Sequence, residues 1–257
     1  MLLISSAATD RGFCSKYRDK QAGVVMIKNY DDFVRELLMA GFSLAGGGND
    51  EGVFELIKHG WNEDPKDSPL RWHTGNPETN PWEWRMRVLD ERDDIAYAKV
   101  FFKKTGYITK EWYPYFLAAR RGEYAVFDDE YYDGKVSHFA KRIYDVVSQN
   151  ESLPVHIIKQ LAGFTREEKS AFDRALTELQ MKMYITMCGC QQKNTQMGIE
   201  YGWSSTVFCT TEKFFGNDVF EQAAKIDEDE AAEKITERVF LLNPSAQEKK
   251  IIQFIKG

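Results

Sequence analysis

From Asn29 to Gly41 the chain reads NYDDFVRELLMAG, with Phe33, Leu37 and Leu38 on one side of a helical repeat. Asp31 and Asp32 suit the start of a helix and Gly41 suits its end, so the spacing predicts a helix here. GGGND (46–50) follows as a flexible turn, and GVFELIKHGW (52–61) as a short helix or strand. Residues 62–83, rich in Pro, Asn, Asp, Thr and Gly, predict an ordered loop. In WEWRMRVL (82–89) Trp84, Met86 and Val88 alternate with Arg85 and Arg87, and a period of two predicts a half-buried strand. DERDD turns the chain into IAYAKVFF (95–102) as a second strand. KKTG then turns it again into Tyr107 and Ile108, and KEWYPYFLAARRG (110–122) begins a helix. The pattern to this point predicts helices around a small antiparallel sheet.

Beyond Asp133 the pattern is more specific. GKVSHFAKRIYDVVSQN (134–150) is amphipathic, with Ser137 as N-cap and Ile143, Val146 and Val147 inward. LPVHIIKQLAG (153–163) is a shorter helix with Pro154 in its first turn and Gly163 at its end. TREEKSAFDRALTELQMKM (165–183) is a third and longer one, with Thr165 and Glu168 as a capping box and Phe172, Leu176 and Leu179 buried. YITMCGC (184–190) and WSSTVFCTTEKFF (203–215) then form a long hairpin. Three helices followed by a β-hairpin, with the second helix short and the third long, predict a winged helix. Two more helices close the chain. DEDEAAEKITERVFLL (227–242) is stopped by Asn243-Pro244, and Ser245 caps SAQEKKIIQFIKG (245–257).

Composition narrows the class. The 257 residues are 43% hydrophobic, 29% charged and 14% aromatic, as expected of a chain that builds a sizeable core. No apolar run approaches the roughly eighteen residues that span a bilayer, and MLLISSAA has no basic residue before its apolar stretch, so neither a membrane anchor nor a secretory signal is expected. A cytoplasmic protein is the reading, with residues 1–25 as a poorly ordered leader. The net charge of −6 argues against a general coat on nucleic acid but leaves room for a local basic face. Residues 135–215 carry ten Lys or Arg against eight Asp or Glu, and 217–257 carry six against nine. Cys14, Cys188, Cys190 and Cys209 are too few for a disulfide scaffold. A hairpin symmetric about Gly198 would set Cys209 opposite Cys188 and bring three thiols together, although Cys-x-Cys with one partner is not a closed zinc set. The expectation is of small hydrophobes, with no metal and no cofactor.

Candidate chemistry falls in two places. In the winged helix, Arg166, Lys169 and Arg174 lie on or near the outward side of the third helix, and Lys193 lies in the wing. All four are placed to meet a sugar–phosphate backbone. In RWHTGNPETNPWEWRMR (71–87), Trp72 and Trp82 sit beside His73 in the loop, and Arg85 and Arg87 oppose Trp84. Such aromatics either stack on a flat or anionic ligand or pack the loop down on itself. Asp128, Asp129 and Glu130 read as a solvated link. His59, His138 and His156 are scattered, and no GxSxG, P-loop or GxGxxG in strand–helix context occurs.

FDRALTELQMKMYITMCG followed by GWSSTVFCTTEKFF resembles the winged-helix module of the AlkZ/YcaQ-type DNA glycosylases, and GYITKEWYPYFLAARRG is similar to a segment of the same group. PWEWRMRVLDERDDIAYAKVFFKKTGYI is closer to its AlkZ-related branch. The resemblance spans residues 28–257. It implies an α+β, mainly helical fold of tandem winged-helix units with small antiparallel sheets, set around a DNA cleft, with removal of alkylated bases as the ancestral chemistry. On that reading 26–126 is an N-terminal winged-helix-like unit carrying the tryptophan loop. Residues 127–215 form the second winged helix, and 216–257 a helical extension. The glycosylases position the attacking water with Gln-apolar-Gln or Gln-apolar-Asp. Neither triplet occurs here, and Gln180-Met181-Lys182, the nearest form, ends a helix of the second unit. What carries over is therefore a DNA-binding protein, with damaged DNA as the implied target and no catalytic residue. The rivals are a glycosylase with a relocated carboxylate (Glu83, Asp90 or Glu111, with His73 nearby) and a small-ligand or protein-interaction module. Truncation to Met26 is expected to leave the melting temperature nearly unchanged; a loss of several degrees in a thermal melt would show that the leader packs on the core.

Overall fold

A computed structural model describes residues 26–47, 51–122, 126–194 and 200–257, with side chains for all of these except 193–194 and 200–203. The expected leader (1–25) and the wing tip lie outside the described residues. Eleven helices and six strands occur among those described, an α+β fold that is mainly helical.

The N-terminal half runs α1 (Tyr30–Ala40), β1 (Phe42–Leu44), α2 (Pro81–Glu91), β2 (Ile95–Phe101) and β3 (Lys104–Thr109). Asn29 caps α1 by accepting the Asp32 N–H at 2.9 Å. Gly41 ends it at φ +92°, where a Cβ would lie 2.2 Å from the Trp112 ring. The next segments are α3 (Tyr113–Arg121) and α4 (Phe127–Tyr132). The second half then runs α5 (His138–Ser148), β4 (Leu153–Pro154), α6 (Val155–Leu161), α7 (Lys169–Met181), β5 (Ile185–Asn194) and β6 (Glu200–Thr210). β4 pairs antiparallel with β6, which completes the strand and helix order of a winged helix. α8 (Thr211–Phe215), α9 (Asp218–Ala223), α10 (Glu228–Leu242) and α11 (Glu248–Lys256) finish the chain.

The expected small sheets are one sheet, in the order β1-β3-β2-β5-β6-β4. Its halves mirror each other. In each, a short first strand pairs with the far arm of the hairpin, and the near arms β2 and β5 meet in the middle, where Tyr97 faces Met187. The helix before each hairpin lies over that join, α2 against β5 and α7 against β2. Buried Gln180 on α7 accepts the Lys99 N–H at 3.0 Å and donates to Leu176 O at 2.9 Å, so its amide locks α7 to β2. Alternation on β2 sends Ile95 and Tyr97 into the core under α1, α2, α5 and α7. Ala96, Ala98 and Val100 point into a second core under α3, α10 and α11.

WEWRMRVL is helical, not a strand. Asn80 accepts the Trp82 N–H at 3.2 Å and Pro81 occupies the first turn, a strong helix start. Trp84 and Val88, four apart, are both fully buried. Arg85 and Arg87 imitate the polar positions of a strand, but each guanidinium lies over a ring, Arg85 on Trp82 and Arg87 on Tyr30. Other readings also change. Residues 52–61 form neither helix nor strand, only isolated bridges such as Leu44 with Glu55. The third winged-domain helix starts at Lys169, and of the capping box only the Glu168 carboxylate bond to the Thr165 N–H, 2.9 Å, is made. α11 starts at Glu248, and Ser245 bonds Asn243 instead of capping it. Glu130 is buried, not solvated, because Tyr184 donates to it at 2.6 Å and Lys182 pairs with it. No helix among the described residues is long and apolar enough to cross a membrane. Trp84 stacks on Phe33 at 5.1 Å, and its Nε1 donates to Pro77 O at 2.9 Å. Trp84→Ala is expected to cost about 3–5 kcal/mol in a denaturant titration, as for other buried aromatics; a cost below about 1 kcal/mol, the level of a surface change, would contradict this core.

Candidate nucleic-acid interface

α7 turns Arg174, Thr177 and Met181 along one stripe, the i, i+3, i+7 spacing of a single helix face. Facing it across a cleft of about 590 Å³ are Lys99, the one exposed position in β2, and Lys103 in the turn to β3. That turn needs Phe102 and Lys103 at φ 51° and 61°, as a tight two-residue hairpin does. Arg120, its guanidinium buried at the end of α3, forms the floor, and Lys182 and Lys256 complete the lining.

Six cations and two carboxylates, Asp173 and Glu178, line this space. Glu178 is committed to Ser137, whose N–H and hydroxyl donate to it at 2.9 and 2.6 Å, and Lys182 is committed to Glu130. Lys99, Lys103, Arg174 and Lys256 have no ion-pair or side-chain hydrogen-bond partner among the described residues. The cleft is therefore locally positive on a chain of net charge −6. Glu51 ties the β2–β3 hairpin to α11, pairing with Lys104 at 2.5 Å on β3 and Lys250 at 2.9 Å on α11.

Arg174 is thus in the cleft, whereas Arg166, three residues ahead of α7, and Lys169, its first residue, are exposed and outside the lining. The Lys193 side chain lies outside the described residues. Lys99, Lys103, Arg120 and Lys256 were missed by sequence reasoning. The outward lysine within an otherwise apolar strand was the one available signal, and nothing local links it to α7.

The tryptophan loop forms a second cluster. Trp61, not singled out from the sequence, lies 5.7 Å from both Trp82 and His73 at interplanar angles of 76° and 79°, and 6.2 Å from Trp72. It is 48% exposed, whereas Trp72 is packed against the core. GGGND is not a loose turn at its start: a Cβ on Gly47 would lie 1.6 Å from Trp61 Nε1, and one on Gly46 2.9 Å from Ile57 O. Arg85 covers Trp82, with Cζ 3.3 Å from the ring centroid. Arg87 is held by Glu78 and Glu91 at 2.7 and 2.8 Å. The structure therefore gathers Trp72, His73, Trp82 and Arg85 and leaves Arg87 apart. Asn80 Oδ1 accepts the N–H groups of His73 and Trp82, which fixes the loop to α2. Burial holds the imidazole of His59, beside Trp72, below its ordinary pKa.

The carboxylate candidates occupy separate places. Glu83 is exposed on the first turn of α2, Asp90 lies by Gly189 of β5, and Glu111 is exposed before α3. Cys188 and Cys209 hydrogen-bond to each other, which lowers the Cys188 pKa and raises that of Cys209. A bulge sets Cys209 against Thr186 in register, and Cys190 is exposed. No three His, Cys, Asp or Glu side chains converge as a metal-ligand set among the described residues.

Fold and cleft together define an α+β protein with a winged-helix unit and a positive groove along its third helix. The model of the AlkZ-related family matches residues 27–256, so the chain belongs to that family. No curated protein and no solved structure matches it.

Hydrogen bonds from Lys104 and Lys250 hold the Glu51 carboxyl below its ordinary pKa of 4.5. A depressed pKa stabilises the fold fully above the unfolded value, and the gain is lost as pH falls through the folded one. The stability advantage of the wild type over Glu51→Gln, at most ~1 kcal/mol for such exposed pairs, is expected to be constant near neutrality and to be lost progressively as the pH falls below 4.5 through the depressed folded value. An advantage unchanged at pH 3 would exclude the ion pairs as its source.

Proposed function

We propose that the protein binds nucleic acid, with DNA as the substrate class, and holds its phosphates in the cleft beside α7. The carrying observation is the set of four cations, Lys99, Lys103, Arg174 and Lys256, without an ion-pair partner among the described residues, lining one cleft with a single uncommitted carboxylate, Asp173. Phosphate neutralisation by such side chains supplies sequence-independent affinity and strong salt sensitivity. Family membership supports the same reading and points to damaged DNA and a role in repair.

Trp61 serves in this reading as a stacking surface for an unpaired base, because Arg85 already occupies one face of Trp82. Base stacking on an aromatic side chain is worth about 1–3 kcal/mol. Arg166 and Lys169 extend the phosphate track along α7, and Lys193 extends it on the wing. The reading assigns no residue to bond cleavage, and its setting is the cytoplasm, where the thiols stay reduced.

Fluorescence anisotropy of labelled duplexes, intact or with an abasic or alkylated nucleotide, tests it at low and moderate salt. Binding is expected to weaken with salt, and Arg174→Ala and Lys99→Ala are each expected to reduce the salt slope by about one. No binding at low salt would overturn the proposal. Base release lost on substitution of Glu83, Asp90 or Glu111 would replace it with a glycosylase.

A further inference from the structure

Arg120 leaves the last turn of α3 over the adjacent rings of Phe101 and Phe116, its Cζ 5.6 and 5.4 Å from their centroids. Its Nε donates to Ile255 O at 2.7 Å, one terminal nitrogen to Met181 O at 2.8 Å and the other to Phe254 O at 3.0 Å. These acceptors are main-chain carbonyls at the C-terminal ends of α11 and α7. They solvate the cation through the negative ends of two helices but do not neutralise it. A guanidinium has five N–H groups, so one N–H on each terminal nitrogen remains. Burial without a carboxylate pushes the Arg120 pKa down to about 9, the direction expected of an uncompensated cation. The same side chain forms the floor of the cleft that Lys99, Lys103 and Lys256 surround.

We infer that the cleft floor is a seat for one terminal phosphate, held by the two remaining N–H groups of Arg120 together with Lys99 and Lys256. This rests on the cleft's reading as a nucleic-acid interface and names the feature recognised: a phosphorylated strand end. An internal phosphodiester carries one charge and two esterified oxygens. A terminal phosphomonoester has close to two charges and three free acceptors, with a second pKa near ~6. A forked donor pair ringed by lysines uses the latter more fully.

The test is anisotropy with labelled single strands that differ only in carrying a terminal phosphate or a hydroxyl. The phosphorylated strand is expected to bind about tenfold more tightly, the scale of one charge-assisted contact. That preference should vanish in Lys99→Ala and Lys256→Ala, and inorganic phosphate should compete for the phosphorylated strand alone. Arg120→Lys should lose it too. If that variant fails to fold, the two lysine variants still decide. Salt-sensitive binding with equal affinity for both ends overturns the seat and leaves the nucleic-acid reading standing. If no strand binds, a rise in melting temperature with inorganic phosphate that Lys256→Ala abolishes assigns the seat to free phosphate; no rise overturns it as well.

Discussion

The meeting of β2 and β5 is the constraint on which the rest of the molecule depends. A single residue pair, Tyr97 with Met187, joins the two halves of the sheet, and both strands would otherwise be open edges. Such a narrow seam needs support from its face, which comes from two helices laid across it and from one buried amide. Gln180 satisfies the Lys99 N–H from α7, so the backbone of β2 and the helix beside it cannot slide apart without leaving a buried polar group unpaired. Lys99 on β2 and Arg174 on α7 both line the cleft, and that bond holds the two elements together.

Much of the second half was legible from the chain. Ser137, Pro154 and Gly163 stand where local rules put caps and first turns, and the structure uses each at or near a helix end. The buried stripe of Phe172, Leu176 and Leu179 is likewise as the spacing predicts. α2 was not legible by periodicity, since Trp84, Met86 and Val88 satisfy a two-residue alternation as well as a helical one. The deciding signal was Asn80-Pro81, a start that tells more than the run after it. The shared sheet was hidden for a different reason, because one bridge between segments far apart in sequence leaves no local trace.

The cleft shows the same limit. Its cations come from β2, the β2–β3 turn, α3, α7 and α11, and no window of the sequence holds them together. The tryptophan segment was visible as a cluster, yet the ring left most open to solvent, Trp61, belongs to the stretch before it. The helices that precede the two hairpins have also diverged in use. Arg85 and Arg87 on α2 are absorbed by aromatic rings and carboxylates, while Arg174 on α7 has no ion-pair partner among the described residues.

Arg120 is one of several arginines that clasp main-chain carbonyls. Arg121 holds Lys182 O and Met183 O, Arg142 holds Ala162 O, and Arg238 holds Ala40 O and Met39 O. Each clasp has a side chain on one side only. Substitution at the acceptor position leaves the carbonyl in place, so the partner residue is free to vary while the arginine is not. Arg121 and Arg142 have a side-chain mate besides, in Glu212 and Glu168. Among relatives, though, the carbonyl clasps themselves, and all of those of Arg120, would leave no covarying pair, and the joints that set the helices of this fold would be invisible to methods that look for pairs.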